Sequence, residues 1–513
     1  MSNNEIEAKK PPTLEMDFEP VIGLEVHAEL QTKSKMFCSC PVVDSTVAKP
    51  NVAVCPVCAG MPGVLPVVNK RAVEYALRVA LALKCEIAHI SIFARKNYFY
   101  PDLPKGYQIS MYEQPLARHG QLTIPTSQGE RVIRIRRVHL EEDTGKLTHI
   151  SKNGESYSLV DLNRAGVPLL EIVTEPDLHS AEEVRAYAMG LRSLLRYLGV
   201  NSGDMQKGVM RIEPNVSVRK VGASDLGTRV EIKNLNSFRA LERAVAYEIQ
   251  RQCELLRQGK KIVQETVGWD ESRGVTFTQR VKEGEDDYRY FPEPDLPPLV
   301  IEPEWIERIR AELPELPLEK FHRFQEQYGL NEYDAGVLIA EQAVADYFEQ
   351  AVASARQWAQ AHHQAPSVTP KMIANWISGE LFGMMNQIGV DIEAVQVSPQ
   401  SLARLVHMVA SGVINQNTAK TVLAEMFASG KTAEAIVSER GLQQISNVEM
   451  ITTLIERVLA ENPAQVTEYL NGKEAIAQWL FGQVMRAAKG KANPQVIRVE
   501  LERMLARLKE SRT

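Results

Sequence analysis

Residues 21–30 read Val-Ile-Gly-Leu-Glu-Val-His-Ala-Glu-Leu, in which every second residue from Ile22 is apolar and those between are glycine or polar. On an extended strand, this alternation places the apolar residues on one face and Glu25, His27 and Glu29 in a row on the other. Two carboxylates that flank an imidazole are suited to holding a hard metal ion or to moving protons. The alternative is the solvated face of an edge strand, where these residues need no function.

Later stretches of the chain repeat the pattern and favour the first interpretation. Strands are predicted over 131–140, 169–173, 211–219 and 228–234, and the first changes parity near Arg136, as a β-bulge would produce. The first strand leads into the acidic triplet Glu141-Glu142-Asp143, with Glu142 at the strand end, and the other three carry Glu171, Glu213 and Glu231. An antiparallel sheet that gathers these acids on one face forms a cradle for divalent metal and phosphate.

Four of the six cysteines are grouped in two close pairs. They are Cys38, Cys40, Cys55 and Cys58. Two such pairs separated by a short segment predict a zinc-ribbon-like site in a reducing compartment, with a structural role because four thiolates leave no open position. The alternative is four unrelated reduced thiols.

A basic and aromatic loop is predicted over 95–107, where prolines and a glycine exclude a regular element. Its cations Arg95, Lys96 and Lys105 are suited to holding phosphates, and its tyrosines to stacking on a base. The alternative is a loop that its aromatic side chains fix to the core.

Length and charge limit the function classes. A chain of 513 residues predicts two to four domains. The net charge of −6 means that a nucleic acid would bind on local patches rather than on a globally basic surface. The sequence has no apolar run long enough to cross a bilayer and no signal-peptide core, which predicts a cytoplasmic location without membrane contact.

The predicted organisation is a flexible tail over 1–17, a sheet domain over 18–300 with a cysteine insertion over 36–60, a helical domain over 301–437 and a small helical tail domain over 438–513. After Val484 the chain carries eight basic residues against three acidic ones. This local excess is where an RNA backbone would land, and the alternative is a solvated helix face.

Familiar nucleotide and nucleophile motifs are missing from the sequence. Ser429-Gly-Lys-Thr432 resembles the end of a phosphate-binding loop, but that motif requires glycine where Glu425 stands. The sequence also lacks a Gly-x-Ser-x-Gly elbow. Any chemistry on ATP would therefore depend on metal-bound carboxylates and basic residues.

A set of longer motifs resembles one family. They are Val21-Ile-Gly-Leu-Glu-Val-His27, Pro62-Gly-Val-Leu-Pro-Val-Val-Asn69, Arg95-Lys-Asn-Tyr-Phe-Tyr-Pro-Asp102, His139-Leu-Glu-Glu-Asp143, Asp161-Leu-Asn-Arg164, Glu231-Ile-Lys-Asn-Leu-Asn-Ser237 and Asp287-Tyr-Arg-Tyr-Phe-Pro-Glu-Pro-Asp295. In this order they resemble the B subunits of glutamine-dependent aspartyl/glutamyl-tRNA amidotransferases (the GatB family), from Glu19 to the C-terminus.

The resemblance implies an α+β fold with a glutamine synthetase-like antiparallel cradle, an all-α domain and a YqeY-like tail. It also implies a reaction. ATP phosphorylates the side-chain carboxylate of Glu-tRNA(Gln) or Asp-tRNA(Asn). Ammonia then displaces phosphate, and the resemblance implies that it comes from a separate amidase chain, GatA, which a small third chain, GatC, braces.

The resemblance further implies site residues. Its Mg²⁺ ligands fall at Glu25, His27, Glu142, Glu171, Glu213 and Glu231, the first four being catalytic, and its ATP-phosphate contacts at Arg95 and Lys96. One departure is Arg211-Ile-Glu-Pro-Asn215, where many members have Arg-Cys-Asp-Ala-Asn, so that the carboxylate of Glu213 sits one methylene further out. The rival function is a non-catalytic tRNA-binding adaptor of the same fold, which gains nothing from presenting acids to phosphate.

Overall fold

The computed structural model describes residues 18–281, 288–362, 366–443, 448–488 and 492–510. The predicted N-terminal tail, the acidic stretch 283–287 and the basic residues Lys489, Lys491 and Arg512 lie outside these ranges.

The first half of the chain is rich in strands. They are β1 (Phe18–Glu29), β2 (Glu86–Ile87), β3 (Ile90–Ser91), β4 (Ala94–Asn97), β5 (Tyr107–Ser110), β6 (Ala117–Thr126), β7 (Gly129–Glu142), β8 (Lys146–Lys152), β9 (Glu155–Asp161), β10 (Pro168–Thr174), β11 (Met210–Lys220), β12 (Val230–Lys233), β13 (Glu265–Asp270), β14 (Val275–Val281), β15 (Phe291–Pro292) and β16 (Leu299–Val300).

The helices are α1 (Lys70–Ala82), α2 (Ala181–Tyr197), α3 (Phe238–Arg257), α4 (Pro303–Ala311), α5 (Pro317–Tyr328), α6 (Glu332–Ile339), α7 (Gln342–Ala361), α8 (Pro370–Asn375), α9 (Phe382–Ile388), α10 (Pro399–Ala410), α11 (Gln416–Ser429), α12 (Ala433–Glu439), α13 (Val448–Glu461), α14 (Pro463–Leu470), α15 (Ile476–Ala487) and α16 (Pro494–Glu510). A π-helical turn (Trp376–Leu381) joins α8 to α9, and a 3-10 turn (Ile392–Ala394) follows α9.

Nine strands form one sheet in the order β14-β13-β12-β11-β1-β10-β7-β6-β2. All neighbours pair antiparallel except β12 with β13, which are parallel. The opening stretch of the sequence thus lies on an interior strand, β1, between β11 and β10. It is not the solvated edge that the alternative interpretation required.

One face of this sheet is covered by helices α1, α2 and α3. The alternating residues Ile22, Leu24 and Val26 of β1 are fully or almost fully buried there. The helix starts follow the sequence, because Asn69 accepts hydrogen bonds from the first backbone amides of α1, and Ser180 does so for α2. The opposite face of the sheet is left to the polar residues of the alternation.

The chain divides into two compact units, Met1–Leu318 and Glu319–Thr513. The first holds the sheet and one large apolar core. The second is helical and contains two separate cores, one drawn from α5 to α12 and one from α13 to α16. The α+β class, with a sheet domain followed by helical regions, is confirmed. The boundaries proposed at 300 and 437 stay predictions.

Among the described residues, no helix combines the length and the apolar character needed to cross a membrane.

Candidate active site

Strand pairing brings the polar sides of neighbouring strands together. Glu25 lies opposite Glu213 of β11, and His27 lies opposite Glu171 of β10. Strand β11 pairs in turn with β12, which adds Glu231 to the same face. The register therefore gathers acids from separate stretches of the sequence into one surface, on the side of the sheet away from the helices.

The first group consists of His27, Glu141 and Glu171, whose ligand atoms all lie within 4.8 Å of one another. His27 Nε2 is 3.4 Å from Glu171 Oε2 and 3.6 Å from Glu141 Oε1. Both carboxylates are buried. An imidazole and two carboxylates at this spacing form a donor set that fits a divalent cation.

The electrostatics of this group favour positive charge beside its carboxylates. Burial disfavours a charged imidazole, but the hydrogen bond and the charge of Glu171 outweigh it and raise the pKa of His27 to about 9. Burial also opposes ionisation of Glu171, yet His139 and His27 hold its pKa well below the usual range. Nδ1 of His27 has no hydrogen-bond partner among the described residues, so Nε2 is the atom that faces the group.

The second group consists of Glu25, Glu213 and Glu231, with carboxylate oxygens also within 4.8 Å of one another. Lys233 Nζ lies 3.1 Å from Glu213 Oε2 and 3.3 Å from Glu231 Oε1. Burial is the largest cause that raises the pKa of Glu25, followed by the negative charge of Glu171. Three hard oxygen donors that repel one another in a partly buried site suit Mg²⁺.

A β-bulge decides which acid of β7 joins the first group. The register between β7 and β10 shifts at the last two residues of β10, as the parity change near Arg136 predicts. Beyond that shift, His139 lies opposite Glu171 on the polar face. By alternation Glu141 shares that face and Glu142 does not.

Glu142 instead meets a different set of partners. Its Oε1 lies 2.5 Å from Lys105 Nζ and accepts a hydrogen bond of 3.0 Å from the backbone amide of Ile109. The structure does not bring Glu142 into either acidic group, and its metal-binding role stays a prediction. The other predicted Mg²⁺ ligands all lie in one of the two groups, namely Glu25, His27, Glu171, Glu213 and Glu231.

Arg95 lines a cavity of about 240 Å³ beside the cysteine loop, together with Lys105 and Glu142. Its guanidinium donates two hydrogen bonds, of 2.8 and 2.7 Å, to the carboxylate of Glu293. It also lies 4.3 Å above the ring of Tyr107. Arg95 is therefore held by protein groups, and its contact with phosphate stays a prediction.

Lys96 follows Arg95 in β4 (Ala94–Asn97), so the segment 95–107, predicted to have no regular element, begins with strand residues and ends at the first residue of β5. The charge of Lys96 interacts with the first acidic group. Its Nζ lies 5.0 Å from the ring centroid of Tyr288 and 6.0 Å from that of Tyr98. Burial opposes its charge, but Glu141 and then the other acids and tyrosines around it raise its pKa above the usual value. The ammonium is thus charged at neutral pH and interacts electrostatically with Glu141 and Glu171, as a phosphate-binding lysine near these acids should.

The four cysteines predicted to form a metal site do converge. Sγ atoms of Cys38, Cys40, Cys55 and Cys58 all lie within 4.8 Å of one another. The hydrogen bond from Cys38 outweighs burial and lowers the pKa of the Cys58 thiol to about 4. A thiolate surrounded by three further sulfurs fits a tetrahedral metal site.

Sequence reasoning did not select Glu141, His139 or Lys233 for the site. Counting the alternation of β7 onward from the bulge would have chosen Glu141 over Glu142. Lys233 lies two residues after Glu231, a spacing that places both on one face of a strand. The position of His139 depends on its pairing with Glu171, which no local pattern encodes.

Comparison with known proteins matches both halves of the chain. Residues 20–307 match the family described as GatB/GatE catalytic domain, and residues 346–505 match the GatB domain. The B subunit of aspartyl/glutamyl-tRNA(Asn/Gln) amidotransferase from Thermomicrobium roseum is 52% identical over 96% of this chain and 99% of its own length. The corresponding proteins of Moorella thermoacetica and Thermoanaerobacter pseudethanolicus are 51% and 50% identical, each over 96% of this chain and all of their own length.

Proposed function

The chain belongs to the family of aspartyl/glutamyl-tRNA(Asn/Gln) amidotransferase B subunits, and we propose that it carries the ATP-dependent ligase site of such an enzyme. The substrate is Glu-tRNA(Gln), Asp-tRNA(Asn) or both. The γ-phosphoryl group of ATP passes to the side-chain carboxylate, giving an acyl phosphate and ADP. Ammonia then attacks the acyl carbon, phosphate leaves, and the side chain becomes an amide.

The observation that carries this proposal is the pair of acidic groups on one sheet face. A free carboxylate is a poor acyl donor, and bringing it close to a triphosphate concentrates negative charge that must be offset. Mg²⁺ bound there would supply that charge and polarise the phosphoryl oxygens. One ion would be held by His27, Glu141 and Glu171, and another by Glu25, Glu213 and Glu231.

Cationic side chains complete the assignment. Lys96 lies next to the first group and would offset charge on the transferred phosphoryl group. Arg137, whose Nη2 lies 3.4 Å from Glu171 Oε1, would hold that carboxylate in its ionised state. A non-catalytic adaptor would need neither an acidic centre nor cations arranged around it.

The remaining assignments concern partners and the cysteines. The sequence has no nucleophile motif for glutamine hydrolysis, so ammonia would come from the amidase chain GatA, in a heterotrimer completed by the small chain GatC. This complex would act on tRNA in the cytoplasm. The cysteine group would hold one structural Zn²⁺, because four thiolates leave no open position for chemistry.

A matched pair of substitutions tests the enzyme against the adaptor. Glu171→Gln removes one charge from the first acidic group, whereas Glu175→Gln removes the same charge from an acid paired with Arg136 outside that group. In the assembled complex, ATP-dependent amidation of aminoacyl-tRNA from free ammonium should fall by about 10² or more in Glu171→Gln, as loss of a preorganised charge does. Glu175→Gln should stay near the wild-type rate.

The same assay applied to His27→Ala should give a loss of similar size with tRNA binding and glutamine hydrolysis retained. Free ammonium bypasses the amidase, so a defect in ammonia supply is not measured. Near-normal rates in both Glu171→Gln and His27→Ala would make the acidic face structural and favour the adaptor.

A further inference from the structure

The two acidic groups differ in how the protein balances their charge. In the first group, which has two carboxylates, three cationic or protonatable side chains lie 3.4, 3.3 and 3.4 Å from one of them, Glu171. They are His27, His139 and Arg137. In the second group the carboxylates outnumber the cations, because one lysine, Lys233, pairs with two of the three acids.

Lys233 pairs with carboxylates that a metal ion would also need. Its Nζ bridges Glu213 and Glu231, two of the three acids whose oxygens converge within 4.8 Å. The bridge is an ion pair between one ammonium and two carboxylates. The third acid, Glu25, accepts a hydrogen bond from a neutral donor, the side-chain amide of Asn215, at 3.2 Å.

We propose that Lys233 is a resident counter-ion of the second acidic group, which lies between Glu213 and Glu231 and competes with a divalent cation for these carboxylates. The inference rests on the proposed function, since it takes this group as a metal site. It adds a competing cation, supplied by a lysine that is itself neither ligand nor catalytic residue.

A measurable consequence follows from electrostatics. A divalent cation that enters the group must break the lysine bridge and then remain close to the displaced ammonium, and both effects weaken its binding. Removing the ammonium while keeping the apolar stem should therefore tighten divalent binding. A lysine that merely arranges the ligands would have the opposite effect, because its loss would let the carboxylates move apart.

The test measures Mn²⁺ binding to the full-length chain by electron paramagnetic resonance, in the absence of substrate. Lys233→Met should bind Mn²⁺ about tenfold more tightly than the wild-type chain at the second group. The matched control is Arg136→Met, which removes a cation that pairs with Glu175 and acts on Glu25 only at a distance. The Mn²⁺ affinity of Arg136→Met should differ from that of the wild-type chain much less than the affinity of Lys233→Met does.

A second pair of variants keeps the result specific to this group. In a Glu213→Gln background the site itself is weakened, and adding Lys233→Met should no longer tighten Mn²⁺ binding. Unchanged or weaker binding by Lys233→Met in the folded chain would overturn the role of Lys233 and leave the proposed function standing. Absence of Mn²⁺ binding to both the wild-type chain and Lys233→Met would remove both.

Discussion

Glu29 ends the row of polar residues on β1 and meets a second acid, Asp143. Arg211 Nη1 lies 2.9 Å from Asp143 Oδ2 but 3.7 Å from Glu29 Oε1, so Asp143 takes the better ion pair. Burial, and then the charge of Asp143, raise the pKa of Glu29 from 4.5 to about 8. The folded protein therefore favours the neutral form of Glu29.

This shift predicts a pH-dependent effect on stability. A carboxyl group whose pKa rises on folding stabilises the fold fully below its unfolded pKa, and this contribution is lost as the pH rises through the folded pKa. Glu29→Gln keeps the shape and stays neutral, so its stabilising effect should grow between about pH 5 and pH 8, by at most about 1.4 kcal/mol per pH unit. Thermal unfolding of variant and wild-type chains across this range measures it. A difference in Tm that does not change with pH would contradict the assignment.

Individual residues show where sequence reasoning stops. The alternation of β1 was enough to place Glu25 and His27 on one polar face, because a period of two follows from strand geometry alone. The local pattern does not distinguish Glu141 from Glu142, because both are acids at a strand end. Only the count of residues from the bulge shows which of them lies on the polar face. Lys233, a cation of the second acidic group that was not selected from the sequence, lies on a strand whose pairing partners the sequence does not name.

At the scale of an element, the cysteine loop is tied to the sheet domain by a buried lysine. Lys35 is fully buried, and its Nζ donates to the carbonyl oxygens of Ala53 at 2.7 Å and Leu162 at 3.1 Å. The same ammonium lies 3.6 Å from Cys58 Sγ. A centre of thiolates would supply the counter-charge that a buried ammonium needs.

This arrangement predicts about one Zn²⁺ per chain, required for the stability of the loop rather than for turnover. Elemental analysis of the purified, reduced chain should find it, and Cys58→Ser should lose most of it together with a lower Tm. Cys85→Ser is the matched control, since Cys85 is a buried cysteine outside the cluster. Wild-type protein with reduced thiols and no zinc would exclude the site.

Signals between residues that are close in sequence predict single elements better than they predict which strands pair with each other. Asn69 and Ser180 cap their helices, and a start of this kind can be predicted because a cap is a contact between near neighbours in sequence. The cysteine pairs converge because their spacing already confines them. By contrast, the order of the sheet, in which β1 lies between β10 and β11, depends on pairs that are far apart in sequence, such as His27 with Glu171.

On the scale of the whole molecule, the last four helices have a core of their own. Buried residues from Ile451 to Leu505 pack together, and the preceding helical core ends at Val437. The basic surface predicted for this tail includes Arg486, Arg498 and Arg507 among the described residues. Arg507 is exposed on the last turns of α16 and is therefore available to an RNA backbone.

Because the cores are separate, a chain truncated after residue 443 should keep the sheet domain and the first helical core folded. It should bind tRNA more weakly, and the slope of log affinity against log salt should fall by about one for each phosphate that the protein no longer neutralises. Filter binding at several salt concentrations measures both the affinity and its salt dependence.

In the full chain, Arg507→Glu should reproduce part of the loss of tRNA affinity. The matched control is Arg457→Glu, which changes an exposed arginine of α13 that pairs with Glu461 and should not lower the affinity. Equal affinity and equal salt slope with and without the tail would show that the tail does not contact the tRNA. Binding to phosphate charge cannot lose its cations without also losing part of its salt dependence.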